Sequence, residues 1–262
     1  MEVDPDVAEV VADALWGLGV SAVEEVTTSR TRVTLRANVS SDAAGVLDEL
    51  AARHGATWRW VSMPVSVADT WREHATATHV VDDLWLVPAW VEPPDGRAVR
   101  IEPFDVFGLG NHPTTVLTLV ASLGVVQRGD LVLDMGCGSG VLAVSLAVLG
   151  ACRCECHDIA PQAQAAVLHN AALNGVDGDV AWRGPLAQGE PPRYDVVVAN
   201  ILAPVLRGLA SGLSAVTRPG GRIVLGGMRD DQVDQVSDVF VDCVVESRHA
   251  DAGWTSLVLR RG

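Results

Sequence analysis

The 262-residue chain has few basic side chains, and this shortage restricts its partners. Lys and Arg together number 19 against 33 Asp and Glu, which gives a formal net charge of −14 at pH 7. Because an acidic surface repels phosphate backbones, direct binding to nucleic acid is not expected. A basic protein or a small neutral or cationic ligand is favoured instead, although acidity that serves only solubility explains the same numbers.

Long apolar runs, a basic start and an even cysteine count are also missing. No apolar run reaches the roughly 18 residues of a membrane-spanning helix, so no membrane partner is expected. The start, MEVDPD, lacks the basic residues and the apolar stretch of a secretory signal. Five cysteines in a chain large enough to fold without disulfides predict reduced thiols and a cytoplasmic location.

The sequence predicts two domains, of which the first is a small α+β domain over residues 1–63. Apolar residues recur at helical spacing from Val7 to Leu18. SAVEEV and TRVTLRA predict two strands, and Ser40 or Ser41 can cap a helix that runs to about Arg53.

A tryptophan-rich region follows that helix. ATWRWVSM alternates like a strand, with Trp58 and Trp60 on one face. Residues 64–91 are predicted to be a tryptophan-rich linker, because the turn sequence EPPDG marks a boundary directly after them.

Residues 92–262 predict a larger domain in which strands and helices alternate. LVLD, CRCECHD, GDVAWR, YDVVVAN and GGRIVLGGM predict strands with helices between them, and VDCVVESRHA and WTSLVLRR predict two closing strands. Such alternation is typical of a doubly wound α/β fold with a mostly parallel sheet. Ligands bind these sheets beyond the carboxyl ends of their strands.

A glycine-rich loop follows the first strand of this domain. Gly136, Gly138 and Gly140 lie in LVLDMGCGSG, where a strand ends and a helix begins. This context predicts a nucleotide-type cofactor site, with an ordinary turn as the alternative. The pattern D-x-G-x-G-x-G departs from the dinucleotide fingerprint, and Asp134 would repel a phosphate but accept hydrogen bonds from an ammonium group. A cationic cofactor with a ribose, such as S-adenosylmethionine, is therefore favoured over NAD.

Asp158 ends the next predicted strand, 24 residues after Asp134. A carboxylate there can accept hydrogen bonds from both hydroxyls of a ribose. Each aspartate could instead merely end a strand, but their combination with the glycine-rich loop favours cofactor binding.

Three cysteines, Cys152, Cys154 and Cys156, alternate on that same strand and are followed by His157. Alternation places the three thiols on one face. Core packing is favoured because cysteine is among the most buried residue types. Metal sites usually need turns that wrap the ion, so no metal is predicted, and redox sensing is the other alternative.

Several motifs together resemble a known family. DMGCGSG, HDIAPQA and VVVANILAPVLRGLA, preceded by FGLGNHPTT, are similar to class I S-adenosylmethionine-dependent methyltransferases of the PrmA type. LWLVPAW and Trp254 also match, and the resemblance covers about Trp71 to the C-terminus. It implies a Rossmann-like sheet of seven strands and a small ferredoxin-like domain that recognises the substrate. The family methylates amino groups of the eleventh protein of the large ribosomal subunit.

The resemblance also implies site residues. Thr115, Gly136, Asp158 and Asn200 are the cofactor-contacting positions, and Asn200 is the predicted catalytic residue at the end of its strand. Its side-chain carbonyl can orient an incoming amine, or it can satisfy the backbone of a turn.

The motif NHPTT predicts the start of a helix, with Pro113 in first position. The N–H groups and hydroxyls of Thr114 and Thr115 could then hold a cofactor carboxylate, or form an ordinary cap. His112 is a candidate base, but capping is the favoured role.

The sequence departs from the family pattern in three places. Leu109 and Asn111 replace polar positions, Ala160 replaces a second aspartate, and the chain begins almost at its first helix. The substrate-recognition domain is therefore predicted to be shortened.

The expected activity is methyl transfer to a basic protein substrate, a ribosomal protein that is free rather than assembled. The alternatives are another protein lysine or a small-molecule amine as acceptor, a cofactor-binding regulator without turnover, and, least favoured, an NAD oxidoreductase. No residue is predicted to be a general base.

Overall fold

The computed structural model describes residues 1–16, 20, 23–29, 32–37, 39, 43–61, 72, 75–104, 106–150, 152–187 and 189–262. Contacts between Cα atoms divide the chain into two compact units, Met1–His74 and Ala75–Gly262. Within the described residues, no helix is long and apolar enough to cross a membrane.

The first unit packs two helices against an antiparallel sheet. Its elements are β1 (Glu2–Val3), α1 (Pro5–Trp16), β2 (Val23–Ser29), β3 (Arg32–Ala37) and α2 (Ala44–His54). The strand order is β1-β3-β2, and Thr57 forms a further antiparallel bridge with Glu2 on the outer side of β1. This is the order expected of a ferredoxin-like domain with a minimal last strand. Its core contains Val3, Val11, Leu15, Val33, Leu35 and Leu47.

Two expectations for this unit need correction. The chain does not start almost at a helix, because the short strand β1 precedes α1 and pairs with β3. ATWRWVSM does not form a full strand, since β1 offers only two residues for pairing and the described part of the stretch makes a single bridge at Thr57. Trp58 and Trp60 do meet, with ring centroids 5.3 Å apart. Ser40 and Ser41, the predicted caps, lie outside the described residues.

The second unit begins with a small three-stranded sheet, whose first two strands lie within the predicted linker, residues 64–91. Strands β4 (Thr78–Val81), β5 (Leu84–Pro88) and β6 (Arg97–Ile101) pair in that order. Leu84 and Leu86 are each only 1% exposed and belong to the large core of the second unit. Their burial explains why these residues fold with the second unit.

The main sheet confirms the predicted mostly parallel architecture. Among the described residues it has seven strands in the order β12-β13-β11-β10-β7-β8-β9, and β13 is antiparallel to both of its neighbours. The strands are β7 (Asp130–Met135), β8 (Cys152–His157), β9 (Val180–Trp182), β10 (Tyr194–Asn200), β11 (Thr217–Arg229), β12 (Cys243–Asp251) and β13 (Trp254–Arg261), and the helices are α3 (Pro113–Leu123), α4 (Val141–Val148), α5 (Ala163–Leu173), α6 (Ala203–Val216) and α7 (Val233–Ser237).

Apolar side chains cover both faces of this sheet. One core joins alternate strand residues such as Val132 and Val196 to α4, and the other joins Leu133 and Val197 to α6. This is why YDVVVAN carries no polar alternation. The double cover leaves only the ends of the strands open to a ligand.

Two of the three alternating cysteines form part of the first core, as predicted. Cys154 and Cys156 are 1% and 0% exposed. A hydrogen bond to Cys137, together with burial, raises the pKa of the Cys156 thiol well above its ordinary value. The thiol is therefore protonated at neutral pH and packs as a small apolar side chain. In the described part of the chain, no group of three His, Cys, Asp or Glu side chains is placed to hold a metal.

Candidate active site

The glycine-rich loop joins β7 to α4 and takes left-handed backbone geometry at all three glycines. The φ angle is 72° at Gly136, 52° at Gly138 and 78° at Gly140. A Cβ atom at Gly136 would overlap with the Ile201 side chain, and one at Gly138 would overlap with the Phe107 carbonyl group. The packing of the protein itself therefore requires glycine at Gly136 and Gly138, in addition to any requirement from a ligand.

Asp134, at the end of β7, lies behind this loop and is 1% exposed. Its Oδ2 atom accepts a hydrogen bond of 3.1 Å from the Ala143 N–H in the first turn of α4. Its Oδ1 atom is buried and has no hydrogen-bond partner among the described residues. Burial raises the pKa of Asp134 to about 7; the Ala143 hydrogen bond opposes this shift and the charge of Asp158 adds to it. Burying an acceptor such as Asp134 Oδ1 without a donor destabilises the fold. This is consistent with a site in which a cationic ligand binds to the carboxyl group.

The raised pKa predicts that stability without ligand depends on pH. The folded protein keeps the Asp134 proton up to about pH 7, whereas the unfolded chain releases it near the ordinary value of 3.8. This stabilisation is complete below about pH 4 and is lost as the pH rises to about 7, with an upper limit on the order of 4 kcal/mol.

Denaturant unfolding of the wild type and of Asp134→Asn at a series of pH values tests this prediction. The asparagine does not titrate, so the variant should gain stability relative to the wild type as the pH rises. Parallel pH profiles for the two proteins would contradict it.

Asp158, which follows β8, faces the same loop. Its Oδ2 accepts the Gly138 N–H at 2.8 Å, and its Oδ1 accepts the Ala160 N–H at 2.8 Å. A carboxylate offers about four lone-pair positions, so both oxygens keep room for hydroxyl donors. Asp158 therefore anchors the loop, and its binding to a ribose stays a prediction.

Asp158→Ala should weaken binding of S-adenosylmethionine by about one to two decades, because charge-assisted hydrogen bonds to the ribose and the anchor on Gly138 are both lost. Isothermal titration calorimetry measures the affinity. Asp177→Ala, which removes an exposed carboxylate on the turn after α5, is the control. Near-wild-type affinity of the Asp158 variant would remove this role.

The segment NHPTT starts α3, with Pro113 in first position as predicted. His112 caps the helix, since its Nδ1 atom accepts the Thr114 N–H at 3.2 Å, and the His112 carbonyl accepts the Thr115 N–H at 3.0 Å. Burial lowers the pKa of His112, so the ring is neutral at pH 7. This cap uses both threonine N–H groups, so of the two alternatives that the sequence left open the structure shows the ordinary cap. The Thr115 hydroxyl remains a possible donor.

Asn200 lies at the carboxyl end of β10, in register with Gly226 on β11. Its Nδ2 atom donates to Thr115 Oγ1 at 3.4 Å. Asn200 Oδ1 and Thr118 Oγ1 are both buried with no hydrogen-bond partner among the described residues. A Cβ atom at Gly226 would overlap with the Thr118 hydroxyl and lie 2.7 Å from Asn200 Oδ1. Glycine at position 226 thus leaves room for the Asn200 side chain, whose Oδ1 atom remains able to accept a hydrogen bond.

Aromatic rings gather beside the His112 cap. The ring centroids of His112 and Trp254 are 5.0 Å apart, and those of His112 and Phe107 are 6.0 Å apart. The Arg229 guanidinium lies over the Trp254 ring at 5.6 Å. These rings form an apolar wall at the start of α3. Thr115, which contacts Asn200, belongs to the same helix.

The structure thus brings together two pairs of predicted residues, Thr115 with Asn200 and Asp158 with Gly138. Asp134 supports the loop from behind. Thr118 and Gly226 were not predicted from the sequence, because only the fold brings them next to Asn200.

The chain is similar to one protein family over most of its length. The family model described as "Ribosomal protein L11 methyltransferase (PrmA)" matches residues 22–262. A ribosomal protein L11 methyltransferase of Thiobacillus denitrificans is 46% identical over 178 residues, which cover 67% of this chain and 59% of that protein. Another, of Methylococcus capsulatus, is 36% identical over 282 residues, with 97% and 95% covered.

A solved structure is also similar. The crystal structure of ribosomal protein L11 methylase from Lactobacillus delbrueckii subsp. bulgaricus has a TM-score of 0.64 and 28% identity, and covers 71% of this chain and 98% of that chain. Against the Thiobacillus relative, the chain spans about three fifths of that protein's length.

Proposed function

Because this chain belongs to the ribosomal protein L11 methyltransferase (PrmA) family, we propose that it transfers methyl groups from S-adenosylmethionine to amino groups of ribosomal protein L11. The observation that carries the proposal is Asn200, whose buried Oδ1 atom has no donor among the described residues. The amine of a substrate can donate a hydrogen bond to this acceptor. Asn200 ends β10, two strands from the end of β8 where Asp158 and the glycine-rich loop meet.

The residues around the loop fit the cofactor chemically. Asp134 provides a carboxyl acceptor that a bound ammonium group would favour in its ionised form, Asp158 provides acceptors for ribose hydroxyls, and Thr115 provides a hydroxyl. The three glycines bring the main chain close to the ligand. When bound, S-adenosylmethionine supplies a methyl group on a positively charged sulfur, which is already activated for displacement.

The chain's own contribution is to position the amine and to ease its deprotonation. Holding two reactants in line can supply about 7–11 kcal/mol of the barrier. A lysine amine with a pKa near 10.4 costs about 4–5 kcal/mol to deprotonate at neutral pH, and an apolar wall such as Phe107 and Trp254 reduces that cost. Asn200 Oδ1 accepts one amine N–H and so directs the lone pair. We assign no general base, since the Thr114 N–H occupies His112 Nδ1.

The acceptor is free ribosomal protein L11 in the cytoplasm. A net charge of −14 attracts a basic protein, whereas ribosomal RNA in an assembled subunit is repelled by the same charge. Isolated L11 should therefore be methylated faster than intact large subunits. Faster reaction of the intact subunits would overturn this part of the proposal.

Mass spectrometry of purified L11 after incubation with the protein and S-adenosylmethionine tests the function. The chain contains no lysine, so any methyl-lysine in the mixture belongs to the added protein. Methylated L11 amines support the proposal. Transfer only to other proteins or small amines in a ribosome-free lysate would refute the substrate, and tight cofactor binding with no transfer to any acceptor would refute the activity.

A further inference from the structure

Two asparagines four residues apart, Asn170 in α5 and Asn174 directly after it, hold the outer edge of strand β6. The Asn174 side chain accepts the Arg100 N–H at 2.9 Å and donates to the Arg100 carbonyl at 2.7 Å. Asn170 makes the same pair of bonds with Glu102, the residue that directly follows β6, at 2.8 and 2.9 Å. Each side-chain amide therefore makes the two hydrogen bonds that one residue of a neighbouring strand would make.

The spacing of the two asparagines matches the strand. Four residues of a helix rise about 6 Å, and two residues of a strand rise about 6.6 Å. The Arg97 N–H and the Ile101 carbonyl bond on the β5 side, to Asp83 and Ala89, so Arg100 and Glu102 face outward at alternate positions. The helix can therefore pair with both residues at once.

Asn170 makes one additional bond that Asn174 does not. Its Nδ2 atom also donates to the Ser139 carbonyl in the glycine-rich loop at 2.9 Å, whereas the additional bond of Asn174 goes back to the Asn170 carbonyl at 2.8 Å. Asn170 is 0% exposed. It is thus the point at which the end of β6 is tied to the loop.

Ser139 is held from its other side by the segment before α3. Its N–H donates to the Phe107 carbonyl at 2.9 Å, and its Oγ atom donates to the Gly108 carbonyl at 2.5 Å. Ser139 is fully buried and lies between Gly138 and Gly140. With the Asn170 bond, all of its hydrogen-bonding groups are fixed, and so are the peptide planes on either side of it.

We propose that Asn170 is a positioning residue for the cofactor, which acts by fixing the glycine-rich loop through Ser139. This inference rests on the proposed function, because it takes that loop to bind S-adenosylmethionine. A loop that contains three glycines is flexible when unrestrained, and ordering such a loop on binding lowers the affinity for the ligand. Because the Asn170 hydrogen bond orders the loop before the cofactor binds, this loss of affinity is avoided.

Asn170→Ala and Asn174→Ala form a matched pair for the test. Each deletes one amide pair on β6 and one further bond, but only Asn170→Ala releases Ser139. Both variants should lower the melting temperature by similar amounts. At a temperature where all three proteins are folded, calorimetry should show a Kd for S-adenosylmethionine about tenfold higher for Asn170→Ala only, as expected for the loss of one buried hydrogen bond. The kcat at saturating cofactor should stay within about twofold of wild type.

Equal Kd values for the two variants would overturn the inference and leave the proposed function intact. A wild type that does not bind S-adenosylmethionine would overturn the proposed function, and the inference with it. If Asn170→Ala does not fold, Asn170→Ser and Asn174→Ser replace the pair, since a serine hydroxyl fills part of the cavity but is too short to bond both Glu102 and Ser139. The same difference in Kd is then required.

Discussion

Asn200→Ala is expected to lower kcat for methyl transfer at least about 100-fold, with a much smaller change in cofactor affinity. The substitution removes the Oδ1 acceptor that has no other partner in the described structure, so the amine is no longer held with its lone pair toward the methyl group. A displacement of about 1 Å in such a reaction is enough to cost about 100-fold. Single-turnover kinetics with saturating S-adenosylmethionine measure this step directly.

Two controls separate this effect from misfolding. The melting temperature of Asn200→Ala should stay close to that of the wild type, since among the described residues the side chain makes only one long hydrogen bond, to Thr115 Oγ1 at 3.4 Å. Asn200→Asp keeps an acceptor but loses the donor to Thr115, so its kcat should lie between those of the wild type and the alanine variant. A kcat for Asn200→Ala within about threefold of wild type would exclude the catalytic role.

Gly138→Ala is expected to raise the Kd for S-adenosylmethionine at least about 100-fold and to destabilise the protein. The residue has φ of 52°, where a side chain costs about 1–2 kcal/mol. In addition, the new Cβ would overlap with the Phe107 carbonyl, which is the acceptor for Ser139. The loop must therefore move away from the segment before α3, and its ligand-binding form is lost.

Gly150→Ala is the matched control, because Gly150 has φ of 68° but no non-neighbouring atom of the described residues lies within 4 Å of an added Cβ. It carries the conformational strain without the overlap, so it should cost about 1–2 kcal/mol of stability and leave the Kd unchanged. If calorimetry gave the same Kd for Gly138→Ala and wild type, the loop would not be the binding element.

The main sheet was predictable because its local and global signals agree. The continuous apolar run of YDVVVAN predicts a strand covered on both faces, and Tyr194–Asn200 is β10, packed between two cores. Pro113 and the preceding histidine predict a helix start, and α3 begins there. Alternation of Cys154 and Cys156 predicts burial on one face, which both residues show.

The errors arise where long-range partners decide the structure. ATWRWVSM has the alternation of a strand, but its partner β1 is only two residues long. Strands β4 and β5 were assigned to a linker because tryptophan-rich sequence and a following turn do not reveal that Leu84 and Leu86 belong to a distant core. The sequence favours His112 as a helix cap but leaves open whether that cap occupies the N–H groups of Thr114 and Thr115, which depends on the positions of the His112 side chain and carbonyl.

The roles of the site residues named from the sequence stay predictions, and the structure shows which of these residues lie together. The glycine pattern and Asp158 were predicted to bind one cofactor, and the structure adds a hydrogen bond between the Gly138 N–H and Asp158. The sequence gives no sign that Asn170 reaches Glu102, which is 68 residues away, because a buried side-chain amide can pair with any backbone. Such contacts depend on how a helix lies along a strand, which periodicity does not determine.

The side-chain amides along β6 also affect how copies of the protein behave toward each other. An unpaired strand edge presents N–H and C=O groups that strands of other molecules can bind, and this is a common route to aggregation. At Arg100 and Glu102 those groups are already engaged by Asn174 and Asn170. The small sheet therefore cannot grow by strand addition at these positions, and the protein gains protection against intermolecular association without an additional strand.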